Sequence, residues 1–117
     1  MRIHEHQAKK LLSDFGVLMP KGRLASTAEQ AREAAERIRP YIHRTPVFTS
    51  ATLDRMVGAT LCLRNEALQK VGAFKARGGC TAVFSLSDEQ ATRGVATHSS
   101  GNHAQAVAYA AALRGIP

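Results

Sequence analysis

In Leu68-Gln69-Lys70-Val71-Gly72-Ala73-Phe74-Lys75-Ala76-Arg77-Gly78-Gly79, a lysine follows an aromatic residue and Gly72, Gly78 and Gly79 flank the pair. Glycines leave room for backbone and lysine side chain to crowd a flat ligand. Further along, Ser99-Ser100-Gly101-Asn102-His103-Ala104-Gln105 sets hydroxyls, a glycine and an amide at the start of a predicted helix. Free helix N–H groups attract anions at such a turn. Together the two stretches point to a lysine held against a planar, anionic, carbonyl-bearing cofactor.

Around them the periodicity alternates between strand and helix. Residues 59–64 set Leu61 and Leu63 on one side and Thr60 and Cys62 on the other, as in a strand. Residues 74–86 have helical texture, with Phe74, Ala82, Val83 and Leu86 apolar. Gly78 and Gly79 weaken that helix by about 1 kcal/mol each relative to Ala, a cost tolerated where something must approach the backbone closely. Ser87-Asp88-Glu89-Gln90 is a capping box, Val95-Ala96-Thr97 a short strand, and residues 101–114 an Ala-rich helix stopped by Gly115. Strand, helix, strand, helix is the order of an α/β layer with parallel pairing, which predicts residues 59–64 and 94–97 in one sheet. Upstream, Pro46 favours an extended residue before it, Val47-Phe48 fits a brief strand, and Ser50 caps a short helix carrying Leu53, Met56 and Val57, closed by Gly58.

Nearer the N-terminus, Ala8, Leu11, Leu12 and Phe15 form the stripe of an amphipathic helix over residues 4–15, with Gly16 as its stop and an extended piece over 17–25. Thr27-Ala28-Glu29-Gln30 reads as a capping box for a helix carrying Ala31, Ala34 or Ala35, Ile38 and Ile42, which Pro40 bends or ends. His4 and His6 stand two apart and do not share a helix face. His98 and His103 lack further ligands, so no metal site is expected.

A chain of 117 residues fits one small domain or part of a larger one, since domains run most often to about 100–150 residues. Hydrophobic content of 44% permits a core, and 5% aromatics without Trp make it aliphatic and Ala-rich. A net charge of +7 invites a nucleic-acid reading, but the basic residues are scattered from Arg2 to Arg114 without a run or interleaved aromatics. A solvated basic surface, or an anionic cofactor or substrate, accounts for it better. Cys62 and Cys80 form neither a disulfide framework nor a CxxC pair and read as reduced core residues. With no signal peptide, transit segment or membrane-length apolar run, the chain reads as cytoplasmic, with no membrane or nucleic-acid partner.

Two family resemblances divide the sequence. Ile3-His4-Glu5-His6-Gln7-Ala8-Lys9, Phe15-Gly16-Val17, Pro20-Lys21-Gly22 and Ala25-Ser26-Thr27 resemble the N-terminus of the succinyl-CoA synthetase beta subunit, an ATP-grasp protein in which this segment is scaffold. From about residue 31 the text instead resembles the threonine/serine dehydratase and serine racemase family of pyridoxal-phosphate enzymes. The matching text is Arg39-Pro40-Tyr41-Ile42-His43-Arg44-Thr45-Pro46, Leu68-Gln69-Lys70, Gly72-Ala73-Phe74-Lys75-Ala76-Arg77-Gly78 and His98-Ser99-Ser100-Gly101-Asn102-His103-Ala104-Gln105. The expected organisation is a leader over 1–36 followed by an incomplete dehydratase domain over 37–117. The expected class is α/β, a truncated part of a fold-type-II enzyme of the tryptophan-synthase-beta type.

That second resemblance implies pyridoxal 5'-phosphate as cofactor and gives Lys75 the imine with its aldehyde. It also implies that the strands at 59–64 and 94–97 lie in separate lobes, with the cofactor in the cleft between, rather than in one sheet. The same resemblance sets Phe74 beside the cofactor, Asn102 on the ring hydroxyl, and Ser100 on the face opposite the lysine, where it exchanges a proton with the substrate α-carbon. Ser99, Gly101, His103 and Gln105 shape the turn near the substrate carboxylate. Apolar neighbours that desolvate Lys75 favour its uncharged, nucleophilic form. The implied reaction deaminates threonine or serine to a 2-oxo acid and ammonia, or racemises serine. Ala73 departs from the family, which commonly has Ser there, and the family's glycine-rich phosphate loop lies downstream of the stretch matched here. The chain alone is therefore expected to be inactive. Its alternative reading is a non-catalytic assembly module, or part of a split enzyme, that pairs in an oligomer or with a complementing chain.

Overall fold

The computed structural model describes residues 10, 11, 14, 15 and 26–117. His4, His6, the extended piece expected over 17–25 and most of the helix expected over 4–15 lie outside the described residues; Lys10, Leu11 and Asp14 are helical. The chain divides into two units, Met1–Glu33 and Ala34–Pro117.

Helix α1 (Ala28–Ile38) crosses that division. The Thr27 hydroxyl accepts from the Gln30 N–H at 3.3 Å, as a capping box requires, but the Gln30 side chain accepts from the Ser26 N–H at 2.8 Å, one residue before the expected position. Pro40 lacks an N–H and cannot continue the helix, so α1 ends at Ile38 and a single 3-10 turn, Arg39–Tyr41, follows.

Strand β1 (Val47–Phe48) and strand β2 (Leu63–Arg64) form a two-stranded antiparallel ribbon, Val47 opposite Arg64 and Phe48 opposite Leu63. Between them lies helix α2 (Ala51–Val57), where the Ser50 hydroxyl accepts from the Leu53 N–H at 3.4 Å and Gly58 turns out with φ 69°. Two expectations are corrected here. The strand read over 59–64 shortens to Leu63–Arg64, and Val95-Ala96-Thr97 is not a strand, so the parallel pairing does not form among the described residues. The nearby segment β1 closes a short loop at little entropic cost and takes β2 as its partner. Val95 spends its N–H on the Pro117 carbonyl, 2.9 Å away.

The core is the seam between helix α3 (Lys75–Phe84) and helix α5 (Asn102–Arg114), with the short helix α4 (Asp88–Thr92) bridging them. A Cβ on Gly79 would stand 2.6 Å from the Ala106 carbonyl oxygen, so only glycine allows this approach. Cys80, Val83, Ala106 and Ala110 fill the seam and are essentially solvent-free. The Tyr41 and Phe84 rings stack at 3.9 Å, and the Tyr109 hydroxyl donates to the Tyr41 carbonyl at 2.8 Å, which fastens the end of α1 to the seam. Arg114 donates to the Val83 carbonyl and to Asp88 at 3.1 Å, joining the end of α3, the start of α4 and the end of α5. The Ser87–Gln90 capping box forms in both directions, and Gly115, with φ 68°, ends α5 as expected.

Cys80 is buried, and that burial pushes its thiol pKa up. Cys62 is exposed, which corrects its reading as a core residue: the ladder is two residues long and leaves it uncovered. Apolar side chains also stand open on the ribbon and on α2, Phe48 and Leu63 on the first and Met56 and Val57 on the second. Among the described residues no helix is long and apolar enough to cross a membrane.

Candidate cofactor site

The path to Lys75 is set by a buried amide. Gln69 is 4% exposed, and its side chain reads the backbone of a segment far away in sequence. Its oxygen accepts from the His43 N–H at 2.7 Å and the Lys70 N–H at 2.9 Å, and its nitrogen donates to the His43 carbonyl at 2.8 Å. The His43 ring returns the contact, Nδ1 donating to the Leu68 carbonyl at 3.1 Å. Beyond this clamp the chain makes two left-handed residues in succession, Val71 at φ 55° and Gly72 at φ 64°. Glycine takes that conformation freely, whereas a β-branched residue there is strained. The turn tucks Ala73 inside and delivers Phe74 and Lys75 to the surface at the start of α3.

One turn of α3 is braced from behind. Arg77 donates from Nε and Nη2 to the two Glu66 oxygens, 2.8 Å each, and from Nη2 to the Thr45 hydroxyl at 3.1 Å. Thr45, itself buried, donates to Glu66 at 2.6 Å. The Arg77 hydrogen bond, then that of Thr45, holds the Glu66 carboxyl well below the usual range, at about 2. The expected site included neither Gln69, Glu66 nor Thr45. The available signal was their position in otherwise turn-forming text, but nothing local announces that a Gln will be buried.

Lys75 is the first residue of α3, where aligned peptide dipoles oppose a positive charge. Its Nζ lies 5.1 Å from the centre of the Phe74 ring, and among the described residues it joins no ion pair. The desolvation expected around it is absent: Lys75 is exposed and Phe74 is 58% exposed. Local apolar neighbours do not exclude water unless something covers them.

The second stretch meets the first through helix packing. Gly79 lies against Ala106, Val83 lies in the cluster with Ala110, and Arg114 reaches Val83, so α3 and α5 run side by side in the same direction. Lys75 and Asn102 each stand one turn before the Gly79–Ala106 contact, at the same end of the pair. The turn Lys70–Gly72 also packs on α5. At that end Gly101 supplies no side-chain cap, so the first N–H groups of α5 remain open. Ser99 is the turn former, its hydroxyl accepting from the Gly101 N–H at 3.3 Å. Ser100 and Asn102 are exposed, and among the described residues neither side chain is engaged in a hydrogen bond.

This arrangement fits one edge of a planar, anionic, aldehyde-bearing group. Among the described residues the amine is unpaired beside an aromatic ring, a hydroxyl and an amide are unspent, and the helix end has no side-chain cap.

The profile of the family described as pyridoxal-phosphate dependent enzyme matches residues 38–117. The chain is 54% identical over 93 residues to serine racemase of Oryza sativa subsp. indica, a match spanning 80% of this chain and 27% of that protein. It is 56% identical over 91 residues to beta-hydroxyaspartate dehydratase of Paracoccus denitrificans (strain Pd 1222), spanning 78% and 29%. Among solved structures, maize serine racemase superposes with a TM-score of 0.74 at 56% identity, over 80% of this chain and 30% of that one. The chain thus spans under a third of the length of each of these relatives.

Proposed function

We propose, from the premise that this chain belongs to the family of pyridoxal-phosphate dependent enzymes, that residues 38–117 supply the lysine-bearing wall of a site acting on a small 3-hydroxy amino acid. The family's cofactor is pyridoxal 5'-phosphate and its fold is of type II. The observation that carries the reading is the packing of α3 on α5, with Lys75 and Asn102 at one end of the pair and the turn bearing Ser100 beside them.

When bound, pyridoxal phosphate supplies an electron sink for negative charge at the substrate α-carbon. Lys75 is the residue that holds the cofactor aldehyde and carries a proton at Nζ. Phe74 flanks the ring, and Asn102 donates to its hydroxyl oxygen. Ser100, its hydroxyl unspent among the described residues, is the proton carrier on the other face. The open N–H groups at the start of α5 receive the substrate carboxylate. The substrate is serine, threonine or a 3-hydroxyaspartate; the outcome is loss of the hydroxyl and ammonia, or inversion at the α-carbon.

The exposure of Phe74, Lys75, Ser100 and Asn102 supports a further reading, that these 117 residues turn over poorly by themselves, because water is not excluded from the site. Incubation with pyridoxal phosphate and each substrate, assayed for 2-oxo acid and for the inverted amino acid, tests both parts. Slow turnover that Lys75→Ala abolishes agrees with them. Turnover at the rate of a complete enzyme contradicts the second, and Lys75-independent turnover contradicts the first.

A second reading, an assembly module, is favoured by the open apolar side chains of Phe48, Met56, Val57 and Leu63. It predicts self-association or capture of a complementing chain in sedimentation, and a strictly monomeric, indifferent chain counts against it. We also read residues 1–36 as a leader of separate origin, resting on the resemblance to the succinyl-CoA synthetase beta subunit.

A further inference from the structure

A basic cleft of about 610 Å³ opens behind α3, lined by Ala35, Arg39, Ile42, His43, Arg44, Arg64 and Arg77. Four arginines from four segments line it: Arg39 from the turn after α1, Arg44 from the chain leading to β1, Arg64 from β2 and Arg77 from α3. Two of them are matched. Arg39 pairs with Glu36 on the outer surface, and Arg77 holds both oxygens of Glu66. Among the described residues Arg64 has only a long 3.5 Å contact to the Thr45 hydroxyl, and Arg44 has no side-chain partner. Glu66 offsets part of this charge, Arg64 acting on it through space, but Arg77 and Thr45 already occupy its oxygens and leave no direct bond for Arg44 or Arg64. Like charges gathered around one concavity raise the local concentration of anions.

We propose that this cleft binds the phosphate monoester of a small organic molecule. Arginine's planar fork matches phosphate oxygens in pairs, and two forks left without a carboxylate partner, on Arg44 and Arg64, suit a dianion better than a carboxylate. The cleft is far larger than one phosphate and within the usual range for small-molecule sites. Ile42 and Ala35 give it an apolar wall for the organic part. A nucleic-acid strand is a poorer fit, since among the described residues no Phe, Tyr or Trp lines the cleft for base stacking and the His43 imidazole is the single ring there. The site is separate from Lys75: Arg77 is two residues on, about 200° around the helix, so it faces away from the lysine.

Calorimetric titration of the full chain at low salt with phenyl phosphate, and in parallel with inorganic phosphate, tests the proposal. Phenyl phosphate is expected to bind saturably, one per chain, and several-fold more tightly than inorganic phosphate. Arg44→Gln with Arg64→Gln should weaken it at least tenfold, and Arg44→Gln alone, which disturbs no described contact, several-fold. Arg55→Gln with Arg93→Gln, exposed and outside the cleft, should change it less than twofold, with thermal unfolding of every variant confirming the fold. Lys75→Ala should retain binding, which separates this site from the cofactor site and keeps the two proposals independently testable. Absence of saturation, equal loss in both double variants, equal affinity for the two probes, or loss in Lys75→Ala would each overturn it.

Discussion

Glu66 and Arg77 meet side-on, carboxylate against guanidinium, with both donor–acceptor distances at 2.8 Å and the Thr45 hydroxyl closing the third side. The pair braces the first turn of α3 two residues beyond Lys75, and it ties stability to pH. Glu66 is held down to about 2 from an ordinary 4.5, so its contribution is fully present above its unfolded value and is lost as pH falls through the folded one. Thermal unfolding of the chain and of Glu66→Gln should differ by about 1–2 kcal/mol near neutrality. That gap should close between 4.5 and about 2. A gap that persists unchanged at the acid end would show that the carboxylate's charge is not the source.

Gln69 should be less replaceable than its neighbours. Gln69→Leu fits the space but strands the His43 N–H and carbonyl and the Lys70 N–H, a loss of about 2–3 kcal/mol. Gln69→Glu keeps the acceptor but points its second oxygen at the His43 carbonyl, so it should also lose stability. Urea unfolding of the two variants measures this; a Gln69→Leu chain as stable as the parent would contradict the clamp.

The paired glycines of α3 should respond in opposite directions. Gly79→Ala drives a methyl to within 2.6 Å of the Ala106 carbonyl oxygen and should destabilise by about 1–3 kcal/mol. Gly78→Ala meets nothing within 4 Å and should stabilise by up to about 1 kcal/mol through helix propensity alone. Denaturant midpoints of the two single variants decide it.

Val71 sits at φ 55°, ψ 19°, a conformation Asn tolerates and a β-branched residue does not. Val71→Asn should stabilise by about 0.5–1 kcal/mol in thermal unfolding, while Val71→Ile should not. A destabilised Asn variant would mean that Val71 packing outweighs the strain.

Local chemistry made much of this fold legible. Ser50 with Gly58, Ser87 with Gln90, Pro40 after Ile38 and Gly115 each bound their elements where the sequence indicates, because caps and stops are written in a few adjacent residues. What failed was non-local. Val95 shows strand texture, yet Pro117 takes its N–H. Cys62 alternates like a buried residue, yet nothing lies over it. The desolvation expected of Lys75 is a property of what surrounds a side chain, and a motif names only the side chain. The motifs name Lys75, Ser100 and Asn102 as site candidates. That Lys75 and Asn102 stand at the same end of the helix pair depends on Gly79 and Ala106, a contact between residues whose importance appears only when α3 and α5 are packed together.

The most direct test of the cofactor assignment is borohydride reduction of the full chain with pyridoxal phosphate, followed by peptide mapping. The chain has four other lysines, Lys9, Lys10, Lys21 and Lys70, as internal controls. The pyridoxyl label is expected to collect on Lys75 at substoichiometric cofactor, and Lys75→Ala is expected to lose it. Label spread evenly over the five lysines, or absent from Lys75, would contradict it.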